Sequence, residues 1–343
     1  MGKLTLWRKF ANGFILCIAI ISIAVFIANT DFIALKNQLK QVGFKFTYIL
    51  LLTFTAYFLG TLGWWLCLGQ DRKNISLFRL FAFRQIGETL ALYNPTSIIA
   101  GDLLKVQLLK PYQINQETAL KSVTSSRITA TLSQISLFTI AMIWLLSNTI
   151  RKTVSQELTW IITCTIVVLL LLKTALFIAL YRPTGPSPIQ DKSSLWRHTK
   201  TTLNITFYNC KVFFQHDKKN FWYSYLFFAF HWIVGSMELY LLLLFMGYSI
   251  QPMDSLVLDM SIIVIKSIGA AIPGQIGIEE FANKITLDMI GIKSATIWIS
   301  ISILRRFRQV IWSLIGVLLS VFFKVYPSQL KPEQLQTSPT SSY

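Results

Sequence analysis

Long apolar runs separated by short basic turns set the pattern of this chain. Phe10–Ala28, Phe46–Gly69, Thr118–Ser147, Thr159–Tyr181, Phe221–Met246 and Ser294–Lys324 each approach or exceed the roughly 20 residues a helix needs to cross a bilayer. The first run follows Lys3, Arg8 and Lys9 and is longer than the apolar core of a cleaved signal peptide, so it reads as a retained span with its N-terminus inside. Asn29–Lys45 reads as a polar connector. Trp64 and Trp65 close the second run as an interfacial aromatic belt would, ahead of the basic turn Asp71-Arg72-Lys73. Two further stretches are apolar but broken. Ser76–Asn94 carries Arg79, Arg84 and Glu88, meets Pro95, and resumes a helical pattern over Asp102–Lys110. Met253–Ile272 meets Pro273, Gly274 and Gly277, and a new helix is expected near Glu279 and Glu280, whose charge suits an N-terminus. Broken backbone at membrane depth needs protein or a watery cavity around it, which is the setting of a re-entrant hairpin.

The two broken stretches are copies of one another. Pro95, Asp102 and Arg127 recur without a gap as Pro273, Glu280 and Arg305, each displaced by 178 residues. The same shift carries Phe46–Gly69 onto Ser224–Gly247 and Ile75–Asn94 onto Met253–Ile272, so the chain contains an internal repeat. If both broken stretches crossed the membrane, the basic N-terminus and the basic segment Arg182–Asn220 would face opposite sides. If both return to their side of entry, the N-terminus, the Arg72 turn, that segment and the C-terminus all fall inside, as the positive-inside rule favours. The expectation is an all-α polytopic membrane protein with about six full spans plus two re-entrant hairpins in an inverted repeat. Eight spans in a parallel repeat is the alternative. The organisation follows: a cytoplasmic N-terminus (1–9), a first membrane repeat (10–147), a loop and linking span (148–181), a basic linker (182–220), a second repeat (221–324) and a tail (325–343) whose Pro, Ser, Thr and Gln predict disorder.

Composition agrees. The 343 residues are 53% hydrophobic and 14% charged, against about 25% charged in soluble domains, and mean hydropathy is +0.54. The net charge of +17 then reads as inner-leaflet affinity and not nucleic-acid binding, which wants a polar basic domain with exposed aromatics. The linker holds seven Lys/Arg against Asp191 and Asp217. Trp196, Leu203, Phe207 and Phe214 recur along it at helical spacing, as on an amphipathic helix lying on the membrane; a solvated linker between two halves is the plainer reading. Cys17, Cys67, Cys164 and Cys210 are scattered, and the three histidines form no ligand-spaced cluster, so neither a disulfide framework, a metal nor another cofactor is expected. Cys210 reads as a reduced thiol in a loop.

Depth gives the two arginines their interest. At 1.5 Å per residue Arg127 lies roughly 14 Å, and Arg305 roughly 16 Å, into its helix, near the middle of a hydrocarbon layer about 30 Å thick. Such a charge needs a partner or a cavity. Asp102 and Glu280 are the expected partners. The pairs either pin each hairpin to its neighbouring helix or build a site for an anionic headgroup, since a guanidinium matches phosphate with two parallel hydrogen bonds. Helix N-termini near Gly101 and Gly277 could add backbone donors. Lys105 and Lys266 are secondary candidates, and Arg306 and Arg308 make the second site the more basic. His231 and Glu238, seven apart, share a helix face and could relay protons, although a local structural hydrogen bond is the plainer use.

These residues resemble the flippase-like membrane region of lysylphosphatidylglycerol synthases and of many stand-alone bacterial and archaeal membrane proteins. That family carries Gly-Gly-Asp-x-x-Arg with a downstream Arg, then Pro-Gly-Gly-x-Gly-Val-x-Glu with another. Here the first reads Ala100-Gly101-Asp102-Leu103-Leu104-Lys105 with Arg127. The second reads Pro273-Gly274-Gln275-Ile276-Gly277-Ile278-Glu279-Glu280 with Arg305. Ala100, Lys105 and Gln275 depart from the pattern, and Lys105 keeps the charge. The resemblance spans nearly all of Phe10–Lys324 and implies movement of lipid between leaflets of a cell (inner) membrane. The residues it points to for substrate binding are Arg127, Arg305, Asp102, Glu280, Lys105, Gly101, Pro273, Gly274 and Gly277. In the two-part synthases an aminoacyltransferase domain follows; this chain ends at Tyr343, so synthesis, and with it any catalytic residue, is not expected. The first functional expectation is therefore a lipid transporter without ATP hydrolysis, there being no GxxxxGK[ST] loop, with an anionic lipid as its partner. A non-transporting scaffold for a lipid-modifying enzyme is the second. A membrane enzyme acting on lipid-linked substrate is the third, weakened by Asp254 and Asp259 being five apart and not on one helix face.

Overall fold

A computed structural model describes residues 32–93, 97–151, 156–182, 207–268 and 277–324, and every element in them is helical. The long helices are α2 (Phe46–Cys67), α5 (Gln116–Arg151), α6 (Gln156–Tyr181), α7 (Lys218–Phe245) and α10 (Ala295–Phe322). Between them lie α1 (Phe32–Val42) and two pairs of shorter helices, α3 (Leu77–Tyr93) with α4 (Ser97–Leu109) and α8 (Pro252–Ile268) with α9 (Ile278–Met289). Among the described residues four stretches are long and apolar enough to cross a membrane: Leu39–Cys67, Gln116–Ser147, Thr159–Tyr181 and Lys218–Phe245. The expected span Ser294–Lys324 forms the unbroken helix α10, but Arg305, Arg306 and Arg308 at its middle keep it out of that set. The expected span Phe10–Ala28 lies outside the described residues, as do most of the linker and the tail from residue 325.

Local chemistry sets several boundaries. Gly69, at a φ of +59°, ends the α2 region in the left-handed conformation that glycine adopts without strain. Asn115 caps α5 by accepting from the Glu117 amide at 2.7 Å, and Asp217 caps α7 by accepting from the Asn220 amide at 3.4 Å. The "connector" Asn29–Lys45 is largely helix α1, whose Leu39 and Val42, three apart on one face, pack into the core beside Phe46 and Ile49. Trp64 is buried and donates to Ser122 at 3.2 Å, so the interfacial role falls to Trp65 alone, with the Arg72 guanidinium 4.7 Å above its ring. The linker's last turns, residues 207–216, form a helix that buries Cys210 and Phe214 against Leu132, Leu180 and Phe221. Cys210 is therefore a core thiol and not a loop residue. On α6, Trp160, Ile161, Val167, Val168 and Leu171 point outward, as side chains facing lipid would.

The order long, short, short, long occurs twice, as α2–α3–α4–α5 and α7–α8–α9–α10. The equivalent helices α2 and α7 form the most extensive helix pair among the described residues. They run antiparallel: Cys67 meets Ser224 at 3.3 Å, the Ser224 hydroxyl donates to the Gly63 carbonyl at 2.9 Å, His231 meets the Ala56 carbonyl at 2.6 Å, and the Tyr48 and Phe245 rings lie 6.5 Å apart. Small residues and interhelical hydroxyl bonds hold this pair, as expected where lipid removes the hydrophobic contrast between helix faces. Each short pair folds back on itself as a hairpin. The arms α3 and α4 close to backbone contact at Gly87 and Gly101, where a Cβ on Gly101 would lie 2.5 Å from the Gly87 carbonyl oxygen. The hairpins also cross over. Helix α3 packs on α10 and α8 on α5, while α4 and α9 pack on α5 and α10 of their own halves, so each hairpin is shared between the two long helices.

Candidate functional site

Asp102 sits on the second turn of α4, one turn before Lys105, and faces α5. Arg127 reaches it from α5 with both a terminal nitrogen, 2.7 Å from Oδ1, and Nε on Oδ2. Lys105 bridges the two hairpin arms, 2.5 Å from the Glu88 carboxylate of α3 and 3.4 Å from Asp102. Two cations thus answer two carboxylates. The pairing of Asp102 with Arg127 is the one the spacing suggests. Gly101, by contrast, lies inside α4 and not at its N-terminus, so its amide is not an end-of-helix donor; its place is the close approach to Gly87.

In the second half Arg305 does not pair with Glu280. Its guanidinium lies 3.1 Å from Asp259, with Glu279 and Glu238 at ion-pair distances of 3.4 and 3.9 Å. Glu280 takes Arg306, at 3.0 Å, and accepts from the Gly277 amide at 2.7 Å. The reason is local: α9 begins at Ile278, which makes Glu280 the third residue of the helix, where a carboxylate folds back on the free amide before it. Gly277, at a φ of +84°, supplies the turn into that helix. Its neighbour Glu279 points inward, fully buried, and collects Lys266 at 3.1 Å and Gln309 at 2.9 Å. Arg308 pairs with Glu238 at 2.8 Å and donates to the Tyr57 hydroxyl at 3.2 Å. Four cations here answer four carboxylates, and Asp259, set aside in the sequence reading, is among them. His231 and Glu238 have separate partners, the Ala56 carbonyl and Arg308, so they form no relay; His231 Nδ1 must carry the proton it gives to that carbonyl.

Between the two clusters lies a cavity of about 570 Å³. Its charged lining is Arg84, Lys105, Arg127, Lys266 and Arg308 against Glu88 and Asp102. Both hairpins and both long arginine-bearing helices contribute, and Trp64, Trp232 and Trp312 line it as well. Of the residues singled out by sequence, Arg127, Asp102 and Lys105 face this space. Arg305, Glu280, Gly101 and Gly277 are not part of its lining, and Pro273 and Gly274 lie outside the described residues. Arg308 takes the place expected for Arg305: three residues further along α10, it keeps Glu238 and also reaches Tyr57 at the cavity wall. Sequence reasoning registered Arg84 and Glu88 only as interruptions of an apolar helix. Their spacing of four, which puts both on one face, was the signal.

The sequence profile of the lysylphosphatidylglycerol synthase TM region matches residues 14–316 of the chain. No curated protein and no solved structure matches it.

Proposed function

This chain belongs to the family of the lysylphosphatidylglycerol synthase TM region, and from that premise we propose that it carries an anionic or phosphate-containing lipid between the leaflets without altering it chemically. The observation that carries the reading is the charge of the central cavity, where five basic side chains line the wall against two acidic ones. Lys266 and Arg308 are answered from behind the wall by Glu279 and Glu238, but at low dielectric even one cation in excess attracts an anionic headgroup more strongly than it would in water. Arg127, whose side chain is 40% exposed, can exchange Asp102 for a phosphate oxygen without leaving either group unpaired. The antiparallel packing of the repeat-equivalent helices α2 and α7 supports an inverted repeat, with both hairpins re-entrant, six spans including Phe10–Ala28, and both termini on the cytoplasmic side.

Leaflet-specific labelling tests the proposal. Purified protein in liposomes containing headgroup-labelled phosphatidylglycerol should expose inner-leaflet label to a membrane-impermeant quencher. Replacing Arg127→Gln should slow that exposure at least about tenfold, since a hydrogen bond to a charged group is worth about 1.5–3 kcal/mol. Liposomes that respond no faster with protein than without it would end the carrier reading.

A further inference from the structure

Counting charges across the interior leaves one over. Lys105 and Arg127 are matched by Glu88 and Asp102; Lys266, Arg305, Arg306 and Arg308 are matched by Glu238, Asp259, Glu279 and Glu280. Arg84 also lines the cavity. Among the described residues no carboxylate lies within ion-pair distance of it: Glu88, one turn along the same helix, is engaged by Lys105. What holds Arg84 is neutral. One terminal nitrogen donates to the Tyr57 carbonyl at 2.6 Å, and the guanidinium lies 5.8 Å from the centre of the Tyr57 ring. Its flat side rests on Gly60, where a Cβ would come within 2.7–2.9 Å of the guanidinium. The carbonyl and the bare glycine fix the fork in place, leaving its remaining donors without an anion. Arg84 is half-buried, and Glu88, the acid whose field reaches it, is engaged by Lys105, so its charge is under-neutralised and a ligand bringing a negative charge relieves that.

We infer that Arg84, seated on Gly60 and Tyr57, is the anchor for a singly charged phosphate group in the central cavity. The inference rests on the carrier reading for its lipid source, but the chemistry is that of phosphate itself, which a phospholipid headgroup and free inorganic phosphate share. The matched pairs around it then set orientation and hold the cavity open, while Arg84 supplies the unmet charge. Glu88, one turn away, limits the site to a single net charge by repelling a second.

The test uses the full chain in non-ionic detergent, with fluorescence from the cavity residues Trp64, Trp232 and Trp312 as the binding signal. Short-chain phosphatidylglycerol, short-chain phosphatidylcholine and inorganic phosphate are the probes. Phosphatidylglycerol should bind saturably, and phosphatidylcholine, whose cation cancels its phosphate, more weakly. Arg84→Gln should weaken phosphatidylglycerol at least about tenfold, with Arg84→Lys falling between. Gly60→Ala keeps the arginine but pushes its guanidinium off α2, so it should weaken binding as well; it also decides the matter if Arg84→Gln fails to fold. Wild-type affinity in either folded variant overturns the inference, as does a wild-type protein that binds neither phosphatidylglycerol nor inorganic phosphate. Inorganic phosphate binding as tightly as the lipid, and lost in Arg84→Gln, would uphold the anchor while removing the lipid carrier. Lipid movement that persists in Arg84→Gln with unchanged binding would do the reverse.

Discussion

Lys266 at 3.1 Å, Arg305 at 3.4 Å, Arg306 at 3.7 Å and Gln309 at 2.9 Å surround the buried Glu279 carboxylate. Removing that one buried group takes a carboxylate from three cations at once. Breaking a buried pair from one side costs about 3–5 kcal/mol, and Glu279→Ala should lower stability by that amount in thermal unfolding in detergent. Glu117 and Lys121 make an ion pair of similar length, but their side chains are 70% and 39% exposed. Glu117→Ala should therefore cost less than about 1 kcal/mol. Similar losses in the two variants would mean that the acid cluster around Arg305 is open to water. Sequence gave the right carboxylate in the first half and its neighbour in the second. Asp102 lies well inside α4, where its direction follows from helix period alone. Glu280 lies at the very start of α9, where an unsatisfied amide competes for it, and spacing cannot report that competition.

At the scale of elements, the hairpins depend on close approach. A Cβ at Gly101 would meet the backbone of α3 and not a side chain that could turn aside. Gly101→Ala should then wedge α3 from α4, cost about 1–3 kcal/mol, and loosen the Lys105–Glu88 bridge that spans the same arms. A melting curve set beside that of Lys105→Met would separate the wedge from the lost charge; a Gly101→Ala protein as stable as the unaltered chain would refute the contact. The hairpins and long helices were legible because proline, glycine and apolar run length act locally. Helix α1 was not, because its lysines and glutamines hide a short apolar face that only the packing of Val42 beside Phe46 makes visible. Arg84 was legible as a charge but not as an unmatched one, since matching depends on which carboxylates the fold brings near.

At the scale of the molecule, antiparallel α2 and α7 put the turn after one helix and the turn after the other at opposite ends of the pair. In a cysteine-free background, Lys73→Cys and Ser249→Cys should differ in reaction with a membrane-impermeant maleimide in intact cells. Ser249→Cys should react directly, and Lys73→Cys only after permeabilisation. Labelling of both from the same side would favour eight spans in a parallel repeat. The sequence repeat pointed to two units, and the order long, short, short, long occurs twice, but the packing of each hairpin's first arm on the opposite long helix was invisible to it. Residues 178 apart in sequence say nothing about which copy they touch.

That crossing changes what can move. Two duplicated halves laid side by side could swing as separate blocks about a shared seam. Here α3 is clasped to α10 and α8 to α5, so neither copy can travel without dragging part of its twin. Any body that moves in this fold would therefore join parts of both copies, a hairpin of one with a pillar of the other. A cargo gripped by both clasps would feel the whole fold turn at once.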